Sequence, residues 1–156
     1  MHQARLAVLI AITLVFGVSS VAYAPYHTQP ARPPSTPAPS GMSVVKAQAK
    51  IAGTHAGFAA GSATMSSAKE HLAHVIACIE GSKGRNVKPQ WMNPCSGNGN
   101  GVLVDLRRIK ASASLIRAAQ DADATAVAAI RNSNLTQVKN SARRVGQLTN
   151  RIATAK

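Results

Sequence analysis

Residues 67–81 read SAKEHLAHVIACIEG, and this stretch decides the fold class. Its large apolar side chains recur at steps of three and four, which is typical of one face of an amphipathic helix: Leu72, Val75, Ile76 and Ile79. Ser67 and Glu70 have the spacing of a capping box, so we expect the helix to begin at Ser67. Gly81 is the expected terminator. The stretch therefore predicts a helix of about four turns.

The same spacing extends to both sides of this helix. Residues 43–65 and 102–130 each predict a further helix, and a last helix follows a capping pattern that begins at Asn134. A loop rich in turn residues, 81–101, separates the second predicted helix from the third. Together these elements predict an all-α domain, an antiparallel four-helix bundle with a long loop between helices 2 and 3.

The first predicted helix carries two patterns. Its predicted core face combines apolar side chains with one imidazole: Val44, Ala47, Ile51, His55 and Phe58. Gly53, Gly57 and Gly61 recur every four residues, which predicts a side along which another helix packs closely.

The first 22 residues have the layout of a secretory signal peptide. Arg5 precedes an uncharged run over residues 6–18, and small residues follow up to Ala22, after which we place the cleavage. The alternative is an uncleaved anchor, because residues 6–24 approach the length that spans a bilayer. Both interpretations put the remainder outside the cytoplasm, either periplasmic or secreted, or membrane-anchored and facing outward.

The chain after the signal peptide divides into two parts. Residues 23–43 contain six of the eight prolines and predict an extended linker. Residues 44–156 form the predicted helical bundle domain. We interpret residues 23–43 as a plain linker; the alternatives are a spacer that holds the domain off the membrane and a peptide that a partner binds.

The chain has two cysteines, Cys78 in the second predicted helix and Cys95 in the loop. Export to an oxidising compartment favours a disulfide between them. Such a bridge closes a loop of about 18 residues and stabilises the fold by roughly 3 kcal/mol. The alternative is a reduced pair in which Cys78 joins His71 and His74 as a metal ligand.

Three histidines form the candidate site. His71 and His74 are three residues apart and share a helix face. If the first two helices are antiparallel with a turn near residue 66, His55 lies level with the second helix between His74 and Cys78. Converging imidazoles inside a bundle suit zinc, copper, nickel or iron. The alternative is that His55 is a core histidine and the other two edge the surface.

The type of cofactor stays open at this stage. Glu70 is expected to face away from the histidines, which disfavours a di-iron carboxylate site. The absence of a CxxCH motif excludes covalently attached haem. A transition metal ion or non-covalent haem remains, with Met65 as a second axial ligand in the haem case.

The formal net charge is +13, from 18 basic and 5 acidic residues. No acidic residue follows Asp123, and the last predicted helix carries Lys139, Arg143, Arg144 and Arg151 opposite its apolar face. A surface of one sign attracts anionic partners. We expect an anionic envelope surface or another envelope protein. Export and an aromatic content of 3% disfavour nucleic acid.

The sequence carries no catalytic signature. No Ser-His-Asp arrangement or carboxylate pair stands out, and the GNGNG run at 97–101 lacks the Lys-Ser/Thr ending of a phosphate loop. We therefore expect a non-enzymatic protein, an exported basic helical bundle that acts as an interaction or structural module at the cell envelope. The alternative function is metal or haem binding by His55, His71 and His74.

Two segments, HLAHVIACIEG at 71–81 and NPCSGNGNG at 93–101, resemble a pattern found in uncharacterised exported bacterial helical proteins. The resemblance covers about a quarter of the chain. It implies a small helical domain with an export signal, and it implies no reaction, cofactor or site residue.

Overall fold

The computed structural model describes residues 41–156, and this part of the chain is helical with no β-strand. It contains five helices: α1 (Gly41–Gly61), α2 (Met65–Glu80), α3 (Val102–Arg108), α4 (Ala113–Arg131) and α5 (Leu135–Ala153). The all-α fold class is thereby confirmed. The predicted signal peptide or anchor and the linker up to residue 40 lie outside the described residues, whereas residues 41–43 of that linker belong to α1.

The caps set the ends of the helices. Thr64 has extended backbone, and its side-chain oxygen accepts a hydrogen bond from the Ser67 amide at 3.2 Å. Helix α2 therefore begins at Met65, and the predicted cap at Ser67 is wrong by one turn. Gly81 ends α2 with a φ of 80°, and the Asn134 side chain caps α5, both as predicted.

The single helix predicted over 102–130 is two helices in the structure. Helix α3 ends at Arg108, and Lys110 then adopts a φ of 52° in the left-handed region. The Ala111 amide donates to the Leu106 carbonyl at 2.9 Å, and Ser112 precedes the first turn of α4. The apolar spacing continues across the break, because α3 and α4 both bury apolar side chains. Periodicity alone therefore does not reveal the break.

Helix α1 buries a different face from the predicted one. Its buried residues are mostly alanines: Val45, Gln48, Ala49, Ala52, Ala56 and Ala59. Phe58 is 53% exposed, and Val44 and Ile51 are only partly buried. Small side chains let neighbouring helices approach closely, so a face that looks weakly hydrophobic in sequence becomes the core face.

The predicted close packing along the glycines holds at one position. A Cβ added to Gly53 would lie 3.1 Å from the Thr149 hydroxyl of α5, so the two helices are tightly packed there. Cβ atoms added to Gly57 and Gly61 would meet nothing within 4 Å. At those two positions the predicted close approach is wrong.

Helix α1 packs against α2 and α5, and α4 packs against α5 and α2, while α3 contacts α1, α2 and α4. The apolar side chains predicted for the core of α2 are all buried: Leu72, Val75, Ile76 and Ile79. Within residues 41–156 no helix is both long enough and apolar enough to cross a bilayer.

Cys78 and Cys95 form a disulfide, as predicted, with their Cα atoms 5.2 Å apart and both side chains buried. The bridge ties the loop after α2 back onto that helix. A disulfide sulfur is not a thiolate, so the alternative in which Cys78 binds a metal is wrong.

A buried polar network holds α1 against the start of α3. The Gln48 side chain donates to Asp105 Oδ2 at 2.8 Å and accepts from the Gly101 amide at 2.8 Å. The Asn100 amide donates to the same carboxylate, and Arg108 lies 3.3 Å from its other oxygen. Burial alone would raise the pKa of Asp105, but these hydrogen bonds and Arg108 outweigh it, so the pKa is lowered.

We predict that Cys78→Ala/Cys95→Ala lowers the free energy of unfolding by about 3 kcal/mol, because the bridge restricts a loop of about 18 residues in the unfolded chain. Urea denaturation followed by circular dichroism measures the change. The wild type treated with a reductant is the control and should unfold at the same urea concentration as the variant. An unchanged midpoint would show that the bridge contributes nothing.

Candidate metal centre

The turn between α1 and α2 brings the three histidines together. The connection covers residues 62–64, so its centre is residue 63 rather than the predicted 66. His55 lies eight residues before that centre and His71 eight residues after it. His55 is therefore level with His71 and near His74, rather than level with the segment between His74 and Cys78, because α1 ends at Gly61 and α2 begins at Met65, both earlier than predicted.

The three imidazoles converge through one nitrogen of His55. His55 Nδ1 lies 3.3 Å from His71 Nδ1 and 3.4 Å from His74 Nδ1. One ring nitrogen from each residue lies within 4.8 Å of the others, and all three side chains are half-buried. The convergence predicted from the sequence is present, and these residues form the His cluster: His55, His71 and His74.

The measured spacings match those of ligands on a common metal ion. Zinc–imidazole bonds are about 2.0–2.1 Å long, so two nitrogens at tetrahedral corners lie about 3.3–3.4 Å apart. The two Nδ1 separations from His55, 3.3 and 3.4 Å, fall in this range. Two pairs of ring nitrogens in the cluster, His55 with His71 and His55 with His74, therefore already have the spacing of neighbouring ligands on one ion.

Hydrogen bonds alone do not satisfy the ring nitrogens in this arrangement. His55 Nδ1 carries either one hydrogen or one lone pair, so it makes one good hydrogen bond, yet it faces two other ring nitrogens. In the described part of the chain these contacts are the only hydrogen-bond partners of the three rings. A cation between the nitrogens would accept a lone pair from every ring at once.

Phe58 covers one side of the cluster. Its ring centroid lies 5.8 Å from that of His55 in an edge-to-face arrangement and 5.2 Å from that of His71. Phe58 was predicted to lie in the core, but it is half exposed and shields the imidazoles instead. An apolar ring beside the nitrogens limits the access of water and makes the charged imidazolium less favourable.

Burial favours neutral rings. It is the largest cause that lowers the pKa of His55 below 6.5, and the charges of His74 and His71 add to it. The pKa of His74 is also lowered, by burial first and by His71, against an opposing effect of Glu70. Neutral imidazole is the form that binds metals, and the lowered pKa values keep His55 and His74 in this form at neutral pH.

Glu70 lies outside the group of converging ring nitrogens, but it is near enough to His74 for its charge to act on that ring. It precedes His74 by one helical turn, its charge acts on that ring, and both residues line a cleft of about 490 Å³. Trp91 and Met92 of the long loop form another wall of this cleft. The spacing of four residues between Glu70 and His74 was the sequence signal that could have placed Glu70 near the site.

A second polar cleft, of about 500 Å³, lies between the end of α2 and α4. Burial, and then the neighbouring Glu80 carboxylate, raise the pKa of Asp123 to about 7, while Arg85 opposes the shift. Asp123 Oδ1 is buried without a hydrogen-bond partner, whereas Asn86 holds the Glu80 carboxylate through two hydrogen bonds. The raised pKa means that the Asp123 carboxyl changes its charge near neutral pH, in the cleft between α2 and α4.

Comparisons of this chain with protein-family models, with curated proteins and with solved structures found no match.

We predict that the metal-free protein loses stability relative to His55→Gln as pH falls below about 6.5. The pKa of His55 is lowered in the folded chain, so the unfolded chain takes up more protons in this range, and folding becomes less favourable. Asp123 acts in the opposite direction, because its raised pKa favours the folded state in acid, and comparison with the variant cancels this effect.

The measurement is urea unfolding of both proteins between neutral pH and pH of about 5, below the ordinary histidine pKa. Parallel curves for wild type and His55→Gln would contradict the lowered pKa of His55.

Proposed function

We propose that this protein binds a single first-row transition metal ion through His55, His71 and His74. The observation that carries the proposal is the spacing of His55 Nδ1 from the other two Nδ1 atoms, 3.3 and 3.4 Å, which is the spacing of neighbouring ligands on one ion. Neutral, half-buried imidazoles with no other hydrogen-bond partners among the described residues support the same conclusion. Zinc, copper(II) and nickel(II) are the ions that such ligands favour.

The geometry favours a bare ion over haem. Two axial ligands of a haem iron lie on opposite faces of the porphyrin, so their nitrogens are about 4 Å apart with the ring between them. The rings of the His cluster approach to 3.3 Å and leave no slot for a porphyrin. Met65, the second axial ligand of the haem alternative, is partly buried against the apolar core.

The setting we propose is extracytoplasmic and non-catalytic. The buried disulfide is consistent with an oxidising compartment. The short connections 62–64 and 132–134 support an antiparallel arrangement of α1 with α2 and of α4 with α5, so the four long helices would form a bundle. In that bundle the ion would link the first helix to the second.

We predict that His55→Ala, His71→Ala and His74→Ala each lower the affinity for zinc by at least about tenfold, since loss of an outer-shell partner alone has an effect of this size. Isothermal titration of tag-free protein with zinc, copper(II), nickel(II) and haem gives the affinities. Thr54→Ala is the control, because this residue precedes His55 on an exposed position of α1. We expect one equivalent of metal for wild type and control.

The metal titration is repeated at acidic pH. Affinity should fall as pH decreases below about 6.5, because protons compete for the imidazole nitrogens. Equal binding by wild type and the three histidine variants would contradict the proposed function. Tight haem binding with weak zinc binding would favour the haem alternative.

A second candidate function is docking on an anionic lipid surface of the cell envelope. The observation that favours it is the exposure of Arg143, Arg144 and Arg151 on α5. Between residues 41 and 156 the only ion pair joins Arg108 to Asp105, so the cations of α5 are not neutralised by neighbours. Anionic headgroups attract such a surface, at about 1 kcal/mol for each basic residue near the membrane.

We predict that the protein sediments with phosphatidylglycerol vesicles at low salt, and much less with phosphatidylcholine vesicles or at high salt. Replacing Arg143, Arg144 and Arg151 with glutamine should abolish this binding.

The control removes the same charge elsewhere, by Lys83→Gln/Arg107→Gln/Lys110→Gln, all exposed positions away from α5. An equal loss of vesicle binding in both triple variants would mean that net charge alone, and not the α5 face, governs the association.

A further inference from the structure

The His cluster supplies three ligands, and a tetrahedral metal site needs a fourth. Sites that are closed by a fourth protein ligand retain their metal, whereas sites that leave this position to water or substrate perform chemistry. The identity of the fourth ligand therefore decides what kind of metal centre this is. The inference below rests on the proposed metal binding.

Glu70 has the placement that a fourth ligand requires. It lies on α2 one turn before His74, so the two side chains share one side of the helix. Both line the same cleft between α2 and the long loop. The charge of Glu70 already acts on the His74 ring, where it opposes the effect of burial.

The other acidic residues are engaged or distant. Asp105 is buried among its hydrogen bonds to Gln48 and Asn100, and Glu80 is held by Asn86 beside Asp123. Asp121 lies on α4 and is exposed.

The Glu70 side chain is free to move. It is exposed, and within the described residues no hydrogen bond or ion pair holds it. Its carboxylate lies outside the group of nitrogens that fall within 4.8 Å of one another, so it must rotate to reach the ion. An exposed side chain changes rotamer at little cost, and a cation in the cluster supplies the attraction.

We infer that Glu70 is the fourth ligand and that it closes a His₃Glu site from the cleft that it lines together with His74. A carboxylate oxygen is a normal zinc ligand at about 2.0–2.2 Å. Its negative charge offsets part of the charge of a divalent ion, which matters in a chain of net charge +13. A centre closed in this way holds its metal and leaves no position for a substrate.

The experiment uses cobalt(II) as the probe, because four-coordinate cobalt absorbs visible light strongly and an added ligand changes the spectrum. Wild type, Glu70→Gln and the control Asp121→Asn are loaded with cobalt(II) and titrated with azide. Wild type and Asp121→Asn should bind cobalt equally and give spectra that azide does not change. Glu70→Gln should bind cobalt at least about tenfold more weakly, and azide should shift its spectrum.

Other outcomes overturn the inference in distinguishable ways. If azide shifts the wild-type spectrum and Glu70→Gln binds cobalt as tightly as wild type, the fourth position is open and Glu70 is not a ligand, while the three-histidine site stands. If folded wild type binds no cobalt(II), both the inference and the proposed function fail. Circular dichroism checks that Glu70→Gln is folded, as expected for an exposed position.

Discussion

The packing of α1 against α2 is the constraint on which the site depends. The buried face of α1 is lined largely by alanines, and only three residues connect the two helices. Short side chains bring the helix axes close together, so imidazoles at the edge of the contact reach each other. The buried Ala56, next to His55, lies against Gly146 of α5, so the packing of α1 on α5 also helps to fix the position of His55.

The opposite end of this helix pair is fixed by different interactions. The disulfide ties the long loop to α2, and the Gln48–Asp105 network ties α1 to the start of α3. The loop between these anchors places Trp91 and Met92 beside His74. The disulfide and the Gln48–Asp105 network thus fix one end of the α1–α2 pair. Nearer the turn, helix packing alone holds the three imidazole rings, and a cleft lies next to them.

Much of this architecture could be predicted from the sequence. The core of α2, the Asn134 cap, the disulfide and the convergence of three histidines all follow from local spacing or from the redox compartment. These features are set by one helix face or by one pair of residues, which the sequence displays directly.

The features that the sequence did not reveal depend on tertiary context. The break at Lys110 leaves the apolar periodicity intact, and the core face of α1 is made of alanines that carry little hydrophobic signal. The turn is centred at residue 63 rather than 66, so the residue of α2 that lies level with His55 is 71 and not 77, a shift of six positions. Glu70 lies outside the converging ring nitrogens, and the effect of its charge on His74 depends on side-chain positions that helical spacing does not fix.

X-ray absorption spectroscopy of the protein loaded with one equivalent of zinc tests the central claim most directly. If the His cluster binds the zinc ion, the spectrum shows a four-coordinate shell around zinc at about 2.0–2.1 Å, with outer-shell scattering from three imidazole rings. A six-coordinate oxygen shell with one imidazole or none would contradict it, because zinc would then be bound away from His55, His71 and His74.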